Sequence, residues 1–166
     1  MRYKILGLIA AVALVAACET ASEGGGAQTG GGATSATTSA GAIRPGSQED
    51  LVVNVGDRVF FDFDKFNLKP DARKTLEKQA AWLKANPSVR VTIEGHCDER
   101  GTREYNLALG ERRANSAKDY LVSLGVNPGR LKTISYGKER PVAMGSNEAA
   151  WTQNRRSVTV VSGAGS

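Results

Sequence analysis

The sequence predicts an α/β fold of the α+β sandwich type, with a mixed four-stranded sheet and helices packed on one of its faces. Apolar and polar residues alternate at positions 89–94, which is typical of a half-buried strand. Apolar residues recur at helical spacing at positions 72–83 and again at 114–124. Because the two periodicities take turns along the chain, we expect helices to cover a mixed sheet. The predicted order of elements is β-α-β-α-β-(α)-β.

The first half of the domain contains two predicted strands with a helix between them. Residues 59–61 (VFF) predict a short strand, and residues 62–69 predict a polar turn. Pro70 suits the first turn of a helix, and Asn86-Pro87 ends it. The apolar positions of this helix are Ala72, Leu76, Ala80 and Leu83. In the second strand Val89, Val91 and Ile93 share one face.

The second half contains a long helix, two strands and a short helix. Gly125 marks the C-terminal end of the long helix. Its start stays open, because Gly110-Glu111 could begin it after a separate helical turn at residues 103–108. The third strand is predicted near residues 132–136 and the fourth at 157–161, with a short helix at 148–154 between them. The apolar face of the long helix is Ala114, Ala117, Leu121 and Leu124.

The N-terminus predicts export and a lipid anchor. Arg2 and Lys4 precede an apolar run at residues 5–17, which has 13 residues, whereas a transmembrane helix needs roughly 17–25. Residues 1–17 are therefore predicted to be a signal peptide. The sequence VAAC at residues 15–18 resembles a bacterial lipobox, which implies acylation of Cys18; the alternative is an ordinary signal peptide beside a cysteine. Glu19, where inner-membrane retention signals often have Asp, implies the outer membrane.

Residues 18–50 are predicted to be the lipidated cysteine and a flexible tether, and residues 51–166 a single domain. From residue 19 to about 47 the chain consists mainly of Gly, Ala, Ser and Thr, which bury too little surface to fold. Roughly 30 such residues span about 30 Å on average. The tether therefore indicates a domain that works away from its membrane.

Charge and cysteine content narrow the function classes. The net charge is +5, with 22 basic and 17 acidic residues, which favours anionic partners. The two signs are interspersed rather than in blocks, so nucleic-acid binding is not expected. If Cys18 is acylated, Cys97 is the one free thiol of the mature chain, and we expect it to be buried.

Residues 95–102 form the most polar segment and directly follow the second predicted strand. Sheets of this class bind ligands at the carboxyl ends of their strands, where the turn at 62–66 is also expected. The run GHCDERGTREYNLALGERRAN at 95–115 resembles the peptidoglycan-associated lipoproteins of the Tol–Pal system. It resembles more distantly the C-terminal domain of outer-membrane protein A and flagellar-motor stators. Supporting runs begin at Phe60, Ile134 and Asn154, so the resemblance covers nearly all of 51–161; Cys97 stands where Thr is usual.

The resemblance implies an OmpA-like domain that binds the meso-diaminopimelate of peptidoglycan stems. Asp98 and Arg113 match the family's two binding residues: Asp98 would accept from the ligand amine, and Arg113 would pair with the carboxylate. Phe63 and Asp64 would supply backbone N–H groups, and the groove would be lined by Arg100, Thr102, Tyr105, Asn106 and Leu109. The resemblance further implies docking to TolB and TolA and a role in envelope integrity and cell division.

Other interpretations of these residues stay open at this point. Asp98 and Arg113 could be an ordinary surface pair worth about 0–1 kcal/mol, and neither is expected in the apolar core. Arg112 is expected to be solvated, and Arg155 and Arg156 are expected to brace the fold or to meet a protein partner. Trp82 and Trp151 are expected to pack the fold. A protein-interaction module is a second candidate. An enzyme is not expected, because one His with one Cys makes no recognisable zinc set and His96 lacks a nucleophile motif; no cofactor or metal is expected.

Overall fold

The computed structural model describes residues 43–164. The predicted signal peptide, Cys18 and the tether as far as residue 42 lie outside the described residues. The elements, in chain order, are α1 (Gln48–Asp50), a π-helical turn (Leu51–Val55), β1 (Arg58–Phe60), α2 (Pro70–Ala85), β2 (Val89–His96), α3 (Arg103–Ser123), a 3₁₀ turn (Pro128–Arg130), β3 (Leu131–Gly137), α4 (Glu148–Asn154) and β4 (Arg156–Ala164). The predicted order of strands and main helices is confirmed.

The four strands form one mixed sheet in the order β1-β4-β2-β3. β2 and β3 are parallel, whereas β4 is antiparallel to both β1 and β2. α2 and α3 contact each other and bury their apolar sides in one core with the sheet. The opposite face of the sheet carries exposed side chains, among them Arg90, Lys132 and Ile134. The predicted mixed sheet with one helical layer is therefore confirmed.

The folded part begins before the predicted boundary at residue 51. The Asp50 carboxylate accepts from the Trp82 indole N–H at 2.8 Å. The Gln48 side-chain oxygen accepts from the backbone N–H of Val161 at 2.7 Å. Because these bonds join residues far apart in the sequence, local composition does not reveal them. Gln48 and Asp50 were therefore predicted to belong to the tether.

α3 is one continuous helix, which settles where it starts. The Thr102 hydroxyl caps it by accepting from the N–H of Tyr105 at 3.2 Å. Gly110 does not interrupt the helix but brings it against β2, because a Cβ on Gly95 would lie 1.8 Å from the carbonyl oxygen of Gly110. The helix ends at Ser123, and Gly125 follows at φ +90° as predicted.

Candidate functional site

A groove opens at the C-terminal end of β2, where the loop after β1 meets the start of α3. Its volume is about 170 Å³, and its lining residues are Phe63, Asp64, Cys97, Asp98, Arg100, Gly101, Tyr105, Asn106, Leu109 and Arg113. The structure thus brings together every predicted site residue except Thr102, which caps α3 instead. Cys97 and Gly101 also line the groove, although no binding role was predicted for either of them.

Asp98 is buried, with 4% of its surface exposed, and its carboxylate accepts four hydrogen bonds. Oδ1 accepts from the backbone N–H and Nε of Arg100, both at 3.2 Å. Oδ2 accepts from Nη2 of Arg100 at 2.6 Å and from Nη1 of Arg155 at 3.3 Å. Burial by itself raises the pKa of the Asp98 carboxyl, but the bonds from the two arginines outweigh it and hold that pKa below its ordinary value. Asp98 is therefore an anion at neutral pH.

Arg113 is buried as well, with 1% of its surface exposed. Its guanidinium donates to the carbonyl oxygens of Lys65 at 2.8 Å, His96 at 2.9 Å and Asp62 at 3.1 Å. Burial lowers the pKa of Arg113. The expectation that Arg113 lies outside the core is wrong, since its side chain ties the loop after β1 to the end of β2. An arginine has five N–H donors, so these three bonds do not use all of them.

The interpretation of Asp98 and Arg113 as a surface pair is also wrong, because both are buried and no direct ion pair joins them among the described residues. Instead they supply the groove with two separately held charges of opposite sign.

Arg100 lies between two aromatic rings on the wall of the groove. Its guanidinium carbon is 4.0 Å from the centre of the Phe63 ring and 3.9 Å from that of Trp151, distances typical of cation–π stacking. The Trp151 N–H donates to the Glu99 carboxylate at 3.0 Å. Trp151 was expected to pack the fold, and it does so beside the site.

Arg155 supports the groove by binding Asp98, which agrees with the expectation that Arg155 braces the fold. Besides Asp98 it donates to the Phe61 carbonyl oxygen at 3.1 Å and to Glu148 at 2.6 Å. Arg156 is likewise buried and donates to backbone carbonyl oxygens of Asn154 and Arg140. The sequence did not assign Arg155 or Trp151 to the site, and only their place in the resemblance, near the run beginning at Asn154, offered a signal.

The loop after β1 closes the other side of the groove. Asp64 has φ +56°, in the left-handed region that non-glycine residues seldom adopt. Its carboxylate accepts from the hydroxyl of Tyr105 on α3, which fixes the loop to the helix. No described residue accepts a hydrogen bond from the backbone N–H of Phe63 or Asp64, so both donors are open to a ligand. On the outer rim the exposed Arg112 lies 5.4 Å from the Phe66 ring centre.

Asn106 and Cys97 hold the floor of the groove. The Asn106 amide donates to the carbonyl oxygens of Arg100 at 2.8 Å and Thr102 at 2.9 Å. The Cys97 thiol donates to the Asn106 carbonyl oxygen at 3.4 Å and is 3% exposed. Burial raises the pKa of Cys97 to about 11. The predicted burial of this cysteine is confirmed, and its thiol is protonated at neutral pH.

His96 is on β2 but plays no direct part in the groove. Burial, followed by the positive charges of Arg156 and Arg140, lowers the pKa of His96 to about 4, so the ring is neutral at neutral pH. Its Nε2 faces the Glu94 carboxylate at 3.3 Å. Within residues 43–164 no group of three or more His, Cys, Asp or Glu side chains is arranged to hold a metal ion. No helix in the same range is long and apolar enough to cross a membrane.

Comparison with known proteins agrees with this architecture. Residues 60–155 match the OmpA family. The peptidoglycan-associated lipoprotein of Rhizobium meliloti (strain 1021) is 61% identical over 127 residues, which are 76% of this chain and 72% of that protein. The protein of the same name from Pseudomonas putida is 48% identical over 118 residues, which are 71% of this chain and 70% of that protein.

A solved structure matches as well. The crystal structure of the peptidoglycan-associated lipoprotein from Burkholderia pseudomallei has a TM-score of 0.61 at 44% identity, over 63% of this chain and 88% of that one. The fold is thus that of an OmpA-like domain. The chain belongs to the OmpA family and, within it, to the peptidoglycan-associated lipoproteins. The resemblance carried by residues 95–115 is confirmed.

Proposed function

We propose that this protein binds peptidoglycan non-covalently by holding the free end of a meso-diaminopimelate residue in the groove between Asp98 and Arg113. That end of the ligand carries an ammonium group and a carboxylate. The observation that supports the proposal is the pair of buried, opposite charges lining one cavity of about 170 Å³. Such a cavity fits a zwitterionic group better than it fits a neutral or singly charged one, because each ligand charge meets its opposite.

The open donors of the groove suit the ligand carboxylate. Phe63 and Asp64, whose backbone N–H groups have no backbone acceptor among the described residues, line the same cavity as Arg113. A carboxylate can accept from several such donors at once. Arg100, Tyr105, Asn106 and Leu109 form the remaining walls and exclude water from the pair.

We further propose that acylation of Cys18 anchors the protein in the outer membrane, with the domain in the periplasm. The lipobox-like sequence at residues 15–18 supports this. The protein then links the membrane to the wall as part of the Tol–Pal system, with TolB and TolA as partners in envelope integrity and cell division. The exposed Phe63 and Phe66 on the rim suit a protein partner that docks over the groove. In this proposal the domain has no enzymatic activity.

The ligand test uses the mature chain, from residue 18 onward, with Cys18→Ser so that no acyl chain is added. The chain is sedimented with purified wall whose stems contain either meso-diaminopimelate or lysine. We expect strong binding to the first and weak binding to the second, because lysine lacks the second carboxylate. Equal binding to the two walls would show that the groove does not recognise this group.

A variant pair locates the site. Asp98→Asn should weaken binding roughly 30-fold or more, since an unpaired charge at a buried recognition pair costs ~2–5 kcal/mol. Asp119→Asn removes the same charge from an exposed position of α3 and should leave binding unchanged. Circular dichroism verifies that both variants are folded. Equal affinities of the two folded variants would place the binding site elsewhere.

The anchor is tested in cells. The Cys18→Ser protein should carry no lipid label and should be absent from the outer-membrane fraction. A Cys18→Ser protein that keeps both its lipid label and its outer-membrane location would contradict the proposed anchor.

A further inference from the structure

The sheet face opposite the helices is basic at one end. Arg90 on β2 and Lys132 on the neighbouring β3 are both exposed there, and Lys132 pairs with Thr92, two residues after Arg90 on the same face of the sheet. Together with Arg130 from the 3₁₀ turn they line a groove of about 230 Å³. None of the described residues that line this groove is acidic. We call Arg90, Arg130 and Lys132 the basic end.

The charges of the basic end are not neutralised within the domain. Arg130 donates to the carbonyl oxygens of Val89, Leu83 and Asn86 at 2.7–2.9 Å, which fix its position at the C-terminal end of α2 without pairing it with a carboxylate. Among the described residues no carboxylate lies within 4.0 Å of the three cations. Glu94, the acid of β2 on the same face, faces His96 at 3.3 Å instead.

The chain joins the domain at this same end. Gly46 lies against Asn86 and Val89, because a Cβ added to it would meet their side chains at 3.0 and 3.2 Å. Asn86 is also a hydrogen-bond acceptor of Arg130. The groove that holds Asp98 and Arg113 is at the other end of β2, which has 8 residues and is therefore about 25 Å long. The two ends of the domain thus face in opposite directions.

We infer that the basic end docks on anionic phospholipid headgroups of the membrane to which the lipoprotein is attached. The inference rests on the proposed anchor at Cys18, since the anchor makes that membrane the nearest extended anionic surface to the end where the chain joins. Each Lys or Arg close to such a surface strengthens binding about five-fold. The exposed Ile134, next on the same face of β3 after Lys132, adds apolar contact. A docked domain has its ligand groove turned away from the membrane, and after release of the basic end the tether lets the domain reach further from the membrane.

The test measures sedimentation of the mature Cys18→Ser chain with vesicles at low and high salt. One vesicle contains phosphatidylcholine only, and the other contains phosphatidylcholine with phosphatidylglycerol. We expect binding to the anionic vesicles at low salt and its loss at high salt, because screening shortens the reach of surface charges. No binding to anionic vesicles, or equal binding to both compositions, would overturn the inference.

Matched variants separate a specific surface from net charge. Arg90→Gln with Lys132→Gln should lower affinity for anionic vesicles roughly 25-fold, at about five-fold per cation. Lys74→Gln with Lys78→Gln removes the same charge from exposed positions of α2 and should change affinity little. Equal losses of vesicle affinity in the two double variants would show that binding depends on net charge and not on the basic end.

Binding to purified peptidoglycan is the second readout for the same variants. It should be unchanged in the Arg90/Lys132 variant, because those residues lie away from the ligand groove. A loss of peptidoglycan binding without a loss of vesicle binding in that variant would show that the basic end binds the wall polymer and not the membrane. Since vesicle binding is read separately, failure of the proposed wall recognition and failure of membrane docking give different results.

Discussion

Replacing Arg113 by alanine tests whether the fold and the ligand site depend on the same side chain. The change removes three hydrogen bonds from a charged donor to the carbonyl oxygens of Asp62, Lys65 and His96. A hydrogen bond of this kind contributes about 1.5–3 kcal/mol. Asp62 and Lys65 lie in an exposed loop, where water can replace the lost donor, whereas the His96 carbonyl oxygen bonds within the buried end of β2.

We therefore expect Arg113→Ala to lower the free energy of unfolding by ~2–4 kcal/mol, because it leaves the buried His96 carbonyl oxygen unpaired and removes a fully buried side chain. This is a large part of the ~5–15 kcal/mol that stabilises a typical domain. The loop after β1 should also loosen, because Arg113 is its tie to β2.

The assay is urea unfolding of the mature Cys18→Ser chain, followed by circular dichroism. The matched control is Arg112→Ala, whose side chain is exposed on the same helix and whose loss should cost less than ~1 kcal/mol. Equal unfolding midpoints for the two variants would refute the structural role of Arg113. Arg113→Lys keeps the charge without the planar fork and should fall between them. Wall binding by any Arg113 variant can be interpreted only after its stability is known.

Three further predictions concern β2 and its surroundings. Gly95→Ala should destabilise the domain by more than ~3 kcal/mol, because its Cβ would lie 1.8 Å from the Gly110 carbonyl oxygen. Thermal unfolding measures the effect, and the control is Gly163→Ala, whose Cβ meets nothing within 4 Å. Equal melting temperatures of the two variants would contradict the prediction. With its pKa at about 11, the Cys97 thiol should react with a disulfide reagent at neutral pH only after denaturation; rapid reaction of the native chain would show that it is accessible. The pKa of His96 is about 4 in the folded chain and about 6.5 in the unfolded chain, so between these values only the unfolded chain binds the proton. The free energy of unfolding should therefore fall as the pH drops from about 6.5 towards 4, by up to ~1.4 kcal/mol per pH unit. In His96→Gln the urea midpoint should depend less on pH over this range, and an unchanged slope would assign the pH dependence to other groups.

Local patterns in the sequence predicted most elements of the fold, because alternation and helical spacing are visible within a few residues. The start of α3 was left open since Gly110 reads locally as a helix break, whereas its role depends on contact with Gly95 on another element. The early start of the domain was missed for a similar reason: the Asp50 carboxylate finds its partner on Trp82, 32 positions away.

The residues that line the groove were predicted in the loops after β1 and β2 and on α3, with Thr102 as the exception. What the sequence could not show is how each side chain is used. Arg113 reads as a surface residue because arginine is mostly exposed, and only the fold reveals three carbonyl oxygens around its guanidinium. Arg155, which directly follows α4, joins the site through its bond to Asp98, 57 positions earlier in the chain.

The hydrogen bonds that the Asp98 carboxylate accepts determine how a cationic ligand can reach it. A carboxylate offers about four lone-pair sites, and in Asp98 all four are filled by Arg100 and Arg155. An incoming ammonium group therefore reaches the carboxylate by displacing a donor, and Arg100, whose side chain is 31% exposed against 6% for Arg155, is the one free to leave. Binding and release of the ammonium group then exchange one cation for another at the Asp98 carboxylate, so that the carboxylate always keeps a cationic partner. If the groove binds the wall as proposed, the mobility of Arg100 then governs how readily the ligand enters and leaves.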